Sequence, residues 1–206
     1  MLLHLASTSP ARLATLRAAG IEPKTWNPEV DEDAVAGAAG ELTAEEMVLL
    51  LARTKAEAVA EKHGKEIDGL LLGGDSAFVI DGVIHGKPHD PLVARERWLK
   101  QRGRSGVLYS GHWLIEHSDF SPGKAIGVVT SAIVKFAEIT EHEIDTYIAT
   151  GEPLRVAGAF TIDSLGGAFI EKIEGDPHTV VGLSLPALRK LVIELGHEWT
   201  SLWNKD

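Results

Sequence analysis

The chain alternates short apolar runs with stretches in which apolar residues recur at helical spacing. Residues 2–6, Leu-Leu-His-Leu-Ala, predict a short buried strand that stops at Ser7, Thr8 and Ser9. A helix is predicted from Pro10 to Ala19, ending at Gly20, because Ser9 suits a cap and proline suits the first helical position. The segment WNPEVDEDAV reads as an acidic loop. Thr43 followed by Glu46 is a capping box that opens a helix to about His63, and its stripe Val48, Ala52, Lys55, Val59 puts Lys55 on or beside a buried face. The run GLLLGGDSAFVIDGVIHGKP predicts an apolar strand ending at Asp75 and a hairpin that turns at Asp81-Gly82 and closes at Gly86-Lys87-Pro88. Asp90-Pro91 caps a further helix that Gly103 ends. Val107 to Ala137 reads as a long antiparallel pair broken by SDFSPGKAIG. Thr140 and Glu143 cap a helix to about Gly151, and a glycine-rich segment, a strand near Ala168 to Ile173 and a helix from about Pro186 to Leu195 complete the pattern. No repeat or clear linker interrupts it, so residues 1–206 are expected to form one α/β domain of two lobes sharing a sheet.

Composition narrows the class. At 206 residues and 44% apolar content the chain can fill a sizeable core. Its longest apolar stretches fall far short of a membrane span and its start lacks a secretory pattern, so a cytoplasmic protein without a membrane partner is expected. The absence of cysteine excludes disulfides, thiolate zinc sites and a cysteine nucleophile. A formal net charge of −10 argues against a nucleic-acid partner, which requires a broad basic field. An anionic substrate must then be held by locally placed cations and backbone amides.

Several short stretches have the chemistry for that. In LASTSPAR a strand feeds a capped helix, whose first amides and dipole suit an anion; Ser7 and Ser9 add hydroxyls and Arg12 can fork onto a phosphate. The same residues also suit an ordinary strand-to-helix turn. Asp75, after two glycines, stands where open α/β sheets place ligands, and it suits either a metal or water site or a turn cap. Lys55 suits a charge partner or a snorkelling stem, and the run Asp31, Glu32, Asp33 suits a ligand set or a solvated loop. Lys87 in HGKP is not part of a phosphate-binding glycine loop, because the glycine spacing is wrong and proline follows the lysine. Together Arg12, Lys55 and Lys87 with Glu32 and Asp75 form the inventory that a metal-bound polyphosphate requires. His85 and His89 flank Pro88 and lack ligand spacing. Arg95, Arg97, Lys100, Arg102 and Arg104 read as a solvated helix face, and Trp199, Leu202 and Trp203 as a docking tail.

In combination these stretches resemble the Maf family of nucleoside triphosphate pyrophosphatases, also called septum-formation-inhibitor proteins. LASTSPAR resembles the opening Ser-x-Ser-Pro-Arg-Arg motif, VDED the Asp-Glu loop, ARTKAEAVA the Lys-Ala helix, and GGDSAFVIDGVIHGKP the Gly-x-Asp-Thr strand with its Gly-Lys-Pro. TYIATGEPLRVAGAFTIDSLGGAFIEKIEGD and VVGLSLP resemble the C-terminal motifs. The resemblance implies an α/β fold of two lobes around a mixed, strongly twisted sheet with a deep central cleft, like inosine triphosphate pyrophosphatases, and commonly a homodimer. It implies hydrolysis of a nucleoside triphosphate between the α and β phosphates with a divalent metal, Mg2+, Mn2+ or Co2+. Carried over by position, Ser7, Ser9, Arg12, Lys55 and Lys87 hold phosphates, and Glu32 and Asp75 hold the metal or activate water, with Asp75 the preferred base and Lys55 in the catalytic set. The chain departs from the pattern at Ala11, where the family has an arginine, at Ser76, Gly106 and Ser110, and at Asp163, where one subgroup has glutamine. A carboxylate at 163 only accepts hydrogen bonds, so it suits the metal or a base edge that presents donors. A nucleotide-binding regulator of cell division with little or no turnover is the alternative, and Ala11 leans toward it.

Overall fold

Strand β1 (Leu3–Ala6) leads through Ser9 into helix α1 (Pro10–Ala18), followed by β2 (Lys24–Trp26), α2 (Glu32–Ala39), α3 (Ala44–His63), β3 (Gly69–Ile80), β4 (Val83–His85) and α4 (Pro91–Gln101). The long strands β5 (Ser105–Ser118) and β6 (Ser121–Phe136) come next, then α5 (Glu141–Ala149), β7 (Ile170–Gly175), α6 (Pro177–Val181) and α7 (Leu185–Glu194). This computed structural model describes residues 1–204, so Lys205 and Asp206 of the expected 1–206 domain lie outside the described residues. The strands form one mixed sheet in the order β2-β1-β3-β5-β6-β7, with β4 paired to β3. Among the described residues no helix is long and apolar enough to cross a membrane.

The chain divides into two compact units. The first comprises Met1–Asp75, Ser110–Thr130 and the chain from Gly182 onward; the second comprises Ser76–Tyr109 and Ser131–Val181. In the first, β1 lies parallel to β2 and to β3, with Leu3 opposite Leu70 and Ala6 opposite Gly73. Leu3, Leu5, Leu70 and Leu72 pack with Leu16 of α1 and Leu188, Leu191 and Val192 of α7. The alternate residues Ala6 and Leu71 pack with Ala56 and Val59 of α3. Helices on both faces explain why these strands read as continuous apolar runs rather than alternating ones.

Gly73 sets how closely α3 can lie on β3. A Cβ there would collide with the Ala52 carbonyl oxygen and stand 2.9 Å from Ala56 Cβ. Helix α3 itself begins where the sequence predicts, with the Thr43 hydroxyl accepting from the Glu46 amide and Glu46 reaching back to the Thr43 amide.

The second unit is built around aromatic edges. Trp98 of α4 meets Phe136, Tyr147 and Phe169 edge-on, and Phe78 meets Phe136 and Phe160 in the same way. The Trp98 indole N–H donates to the Ala159 carbonyl at 2.7 Å, which satisfies the buried polar atom.

Four expectations need correction. The acidic segment is not all loop: Asp31 caps Ala34 N at 3.0 Å and the alanine-rich stretch after it forms α2. Strand β3 does not end at Asp75 but continues to Ile80 and turns at Asp81-Gly82, both left-handed, the geometry of a two-residue hairpin. The break expected across SDFSPGKAIG shrinks to a turn at Asp119-Phe120, also left-handed, and β6 already runs through Pro122 and Gly123. The last strand begins at Ile170, because Leu165–Phe169 is a 3-10 turn. In the tail, Leu202 docks in the first unit's core while Trp203 is exposed.

Two predictions concern the first unit. Gly73→Ala should lower the unfolding free energy by at least about 1 kcal/mol, because a helix must back away from a strand, and denaturant melts measure it. The second involves His4 and His117, both buried. His4 Nδ1 accepts from Trp26 Nε1 at 3.0 Å and Nε2 faces the Asp68 carbonyl at 3.3 Å, an arrangement for the neutral ring; among the described residues neither ring nitrogen of His117 has a hydrogen-bond partner. Burial lowers both pKa values below the ordinary 6.5, so below pH 6.5 the unfolded chain takes up protons that the folded rings refuse. Stability is therefore full above pH 6.5 and falls as the pH drops below it, and thermal melts of His117→Leu should show a shallower fall.

Candidate active site

The parallel pairing of β1 ends at Ala6 opposite Gly73, and candidate residues Ser7, Ser9, Arg12 and Asp75 lie just beyond these two points. Ser9 caps α1, its hydroxyl accepting from the Arg12 amide at 3.4 Å. The Ser7 hydroxyl oxygen accepts from the Ser9 amide and from Arg12 Nη1, each at 3.2 Å, so its own proton is left to donate. Arg12 Nε donates to the Gly182 carbonyl at 2.8 Å. The buried guanidinium lies along β3 at Gly74, where a Cβ would approach Nε to 3.1 Å. Burial lowers the Arg12 pKa, against the pull of Asp75 and Glu32. Arg12 thus braces the Ser7 turn and the Gly182 backbone as well as lending charge.

Two residues beyond Gly73, Asp75 meets Lys55. The Lys55 ammonium lies 2.6 Å from Asp75 Oδ1 and 2.8 Å from Glu32 Oε1, so one cation bridges two carboxylates. Lys55 and Asp75 are buried, while the Glu32 side chain is 44% exposed. Each arrives for a local reason. The helical stripe of α3 turns Lys55 inward, Gly73 lets that helix sit close enough to β3, and the Asp31 cap sets Glu32 at the start of α2. Burial raises the Asp75 pKa above the ordinary 3.8, outweighing the opposing pull of Lys55 and Arg12. A carboxylate so tuned is a better proton acceptor than an exposed one, which favours general-base chemistry.

A divalent metal requires several oxygen or nitrogen ligands. Among the described residues no group of three or more histidines, aspartates or glutamates is arranged to hold one. Asp75 and Glu32 nevertheless already converge on a cationic atom, that of Lys55. Two carboxylates fit the protein's share of a Mg2+ shell, whose remaining ligands are commonly phosphate oxygens and water.

Ser7, Ser9, Arg12, Glu32, Lys55 and Asp75 all belong to the first unit, whereas Lys87 and Asp163 belong to the second and are exposed. The basic cluster in and just after α4 is partly neutralised: Arg95 pairs with Glu141 and Asp145, Arg102 with Glu138, and Arg104 with Asp81, while Arg97 donates to the Gly86 carbonyl. Sequence reasoning missed the Gly182 carbonyl that anchors Arg12, although it lies in VVGLSLP. It also missed Glu152 in the second unit, which accepts from Tyr147, Thr161, Ser164, Leu165 and Gly166. Its only signal was the Gly-Glu-Pro turn.

The family model described as Maf-like protein matches residues 2–195. A relative from Leifsonia xyli subsp. xyli, named nucleoside triphosphate pyrophosphatase, is 62% identical over 100% of this chain and 98% of its own. One of the same name from Salinispora tropica is 53% identical over 98% of this chain and 88% of its own. A solved structure of a HAM1 protein from Coxiella burnetii aligns with 94% of this chain and 100% of its own at a TM-score of 0.43 and 16% identity. A match that runs from β1 through α7 takes in every element around Lys55 and Asp75, and the chain belongs to the Maf-like protein family.

Proposed function

We propose that this protein is a nucleoside triphosphate pyrophosphatase, a hydrolase that cleaves its substrate between the α and β phosphates to give the monophosphate and pyrophosphate. The observation that carries the reading is the buried Lys55 ammonium bridging Asp75 and Glu32, with Arg12 alongside: placed cations next to a carboxylate tuned to take a proton. The names of the relatives agree with it.

In this reading Asp75 accepts a proton from a water as its oxygen attacks the α phosphorus, the bond from that phosphorus to the bridging oxygen breaks, and pyrophosphate leaves. Lys55 and Arg12 offset the negative charge that gathers on the phosphates, and the Ser7 and Ser9 hydroxyls orient them. Asp75 and Glu32 would hold a divalent metal, Mg2+, Mn2+ or Co2+, which supplies Lewis-acid polarisation of the phosphate when bound. Lys87 and Asp163 are proposed as further substrate contacts, read through KM. The proposal extends to a cytoplasmic homodimer acting on free nucleotides, the net charge of −10 disfavouring nucleic acid. A regulator that only bound nucleotide would have no use for a buried carboxylate poised to take a proton.

The test is pyrophosphate release, with orthophosphate counted in parallel. The wild type should release pyrophosphate with Mg2+, lose the activity on chelation and regain it when metal is restored. Asp75→Asn should lower kcat by about a hundredfold to ten-thousandfold. A wild type that binds nucleotide without turnover would sink the catalytic reading.

The pH profile gives a further prediction. The base must be ionised, so kcat/KM should fall on the acid side as Asp75 takes up its proton. Lys55 favours the ionised form of Asp75, so Lys55→Met should move that limb to higher pH as well as lower the rate; an unmoved limb would assign the titration to another group.

A further inference from the structure

Strand β5 and the segment that leads into α7 meet inside the first unit. Gly111 lies against α3, where a Cβ would collide with the Val48 carbonyl oxygen, so the next side chain, His112, turns to the opposite face of the sheet. Leu114, two residues on, packs on that face with Leu188 and Leu191 of α7. His112 is fully buried, and its Nε2 accepts from the Ser184 amide at 2.9 Å. An amide only donates, so Nε2 carries no proton and the neutral ring has its hydrogen on Nδ1. Ser184 is the cap of α7: its hydroxyl accepts from the Ala187 amide at 3.2 Å and its carbonyl from the Leu188 amide at 2.9 Å. The amide of a cap residue receives no acceptor from its own helix, and here the imidazole supplies one.

Two residues upstream of that amide, the Gly182 carbonyl accepts from Arg12 Nε at 2.8 Å. Gly182 has a φ of 107°, which residues with a side chain rarely adopt, and Leu183 between the two bonds is fully buried. The segment Gly182–Ser184 is therefore held at each of its residues in turn: by the guanidinium, by the core and by the imidazole. Arg12 also donates from Nη1 to the Ser7 hydroxyl at 3.2 Å. One relay thus runs from β5 through the α7 cap to the cation and hydroxyl that suit a phosphate, and every member belongs to the first unit. A guanidinium fixed at Nε keeps the direction of its other N–H groups. Fixed direction separates a phosphate-holding arginine from a mobile charge.

We propose that His112 is a positioning residue for phosphate binding: through the Ser184 amide it fixes the Gly182 carbonyl, and through that carbonyl it aims Arg12. The inference rests on the nucleotide reading above and deepens it. Packing alone does not call for an imidazole, because a leucine would suit the apolar layer formed by Leu114, Leu188 and Leu191. The acceptor at Nε2 does call for one. Its loss removes a buried hydrogen bond from the segment that anchors Arg12, and the segment relaxes at the cation's expense.

The experiment measures the Kd of inorganic pyrophosphate with Mg2+ by titration calorimetry, alongside thermal melts and pyrophosphate release from ATP, GTP, CTP and UTP. His112→Leu should weaken pyrophosphate binding by roughly tenfold. His112→Gln can place its carbonyl oxygen where Nε2 stands and should recover most of that loss. His112→Asn, whose oxygen falls at the Nδ1 position, should not. On an Arg12→Met background the His112→Leu step should shrink below about twofold, because the relay ends at Arg12. An undiminished step on that background, Asn rescuing as well as Gln, or a lowered melting temperature with an unchanged Kd overturns the inference. If His112→Leu does not fold, or Arg12→Met binds too weakly to read, the difference between Gln and Asn decides. A wild type that binds pyrophosphate but releases none from any nucleotide sinks the enzymatic reading alone, and the binding comparison still decides the inference. A wild type that binds no pyrophosphate overturns the inference.

Discussion

One ammonium between two carboxylates organises the first unit. Lys55 stands 2.6 Å from Asp75 and 2.8 Å from Glu32, largely removed from water. Buried charges cost desolvation, and removing any one leaves the others uncompensated. The surrounding backbone answers to this constraint. Gly73 admits α3 to the strand, Gly74 admits the Arg12 guanidinium, the Asp31 cap begins α2 at Glu32, and the Gly182 carbonyl holds Arg12. Substitution at any of these glycines acts on the charge cluster without touching a charge.

Much of this was legible in the residues. The two capping boxes and the Ser9 and Asp90 caps are local, made between neighbours in sequence, and they form where they were read. The α3 stripe exposed Lys55 as a cation on an apolar face. What escaped depends on choices the local pattern leaves open. Alanine-rich residues after an acidic run serve loop or helix until a cap decides, and the Asp31 cap decides for helix. A proline and two glycines between residues 118 and 127 suggest a break, but partners across the sheet keep them in strand. Glu152 was silent because its partners lie up to 14 residues away with no period to betray them.

Charge is unevenly spent. The chain carries a net −10, and of the cations that look like a basic patch in and just after α4, Arg95, Arg102 and Arg104 are paired with acids, while Arg97 donates to the Gly86 carbonyl. The buried cations, Arg12 and Lys55, are the ones that little water screens.

The five bonds on Glu152 reach beyond the loop they tie. A carboxylate held at about 2 keeps its charge while Asp75, raised above 3.8, gains its proton. The stability Glu152 contributes is complete above its unfolded value of 4.5 and disappears only as the pH falls through about 2. Acid therefore reaches the two carboxylates in turn: Asp75 of the first unit takes up its proton while Glu152 of the second still holds its five donors. The protonation of one unit's buried carboxylate leaves the other unit's hydrogen-bonded turn intact.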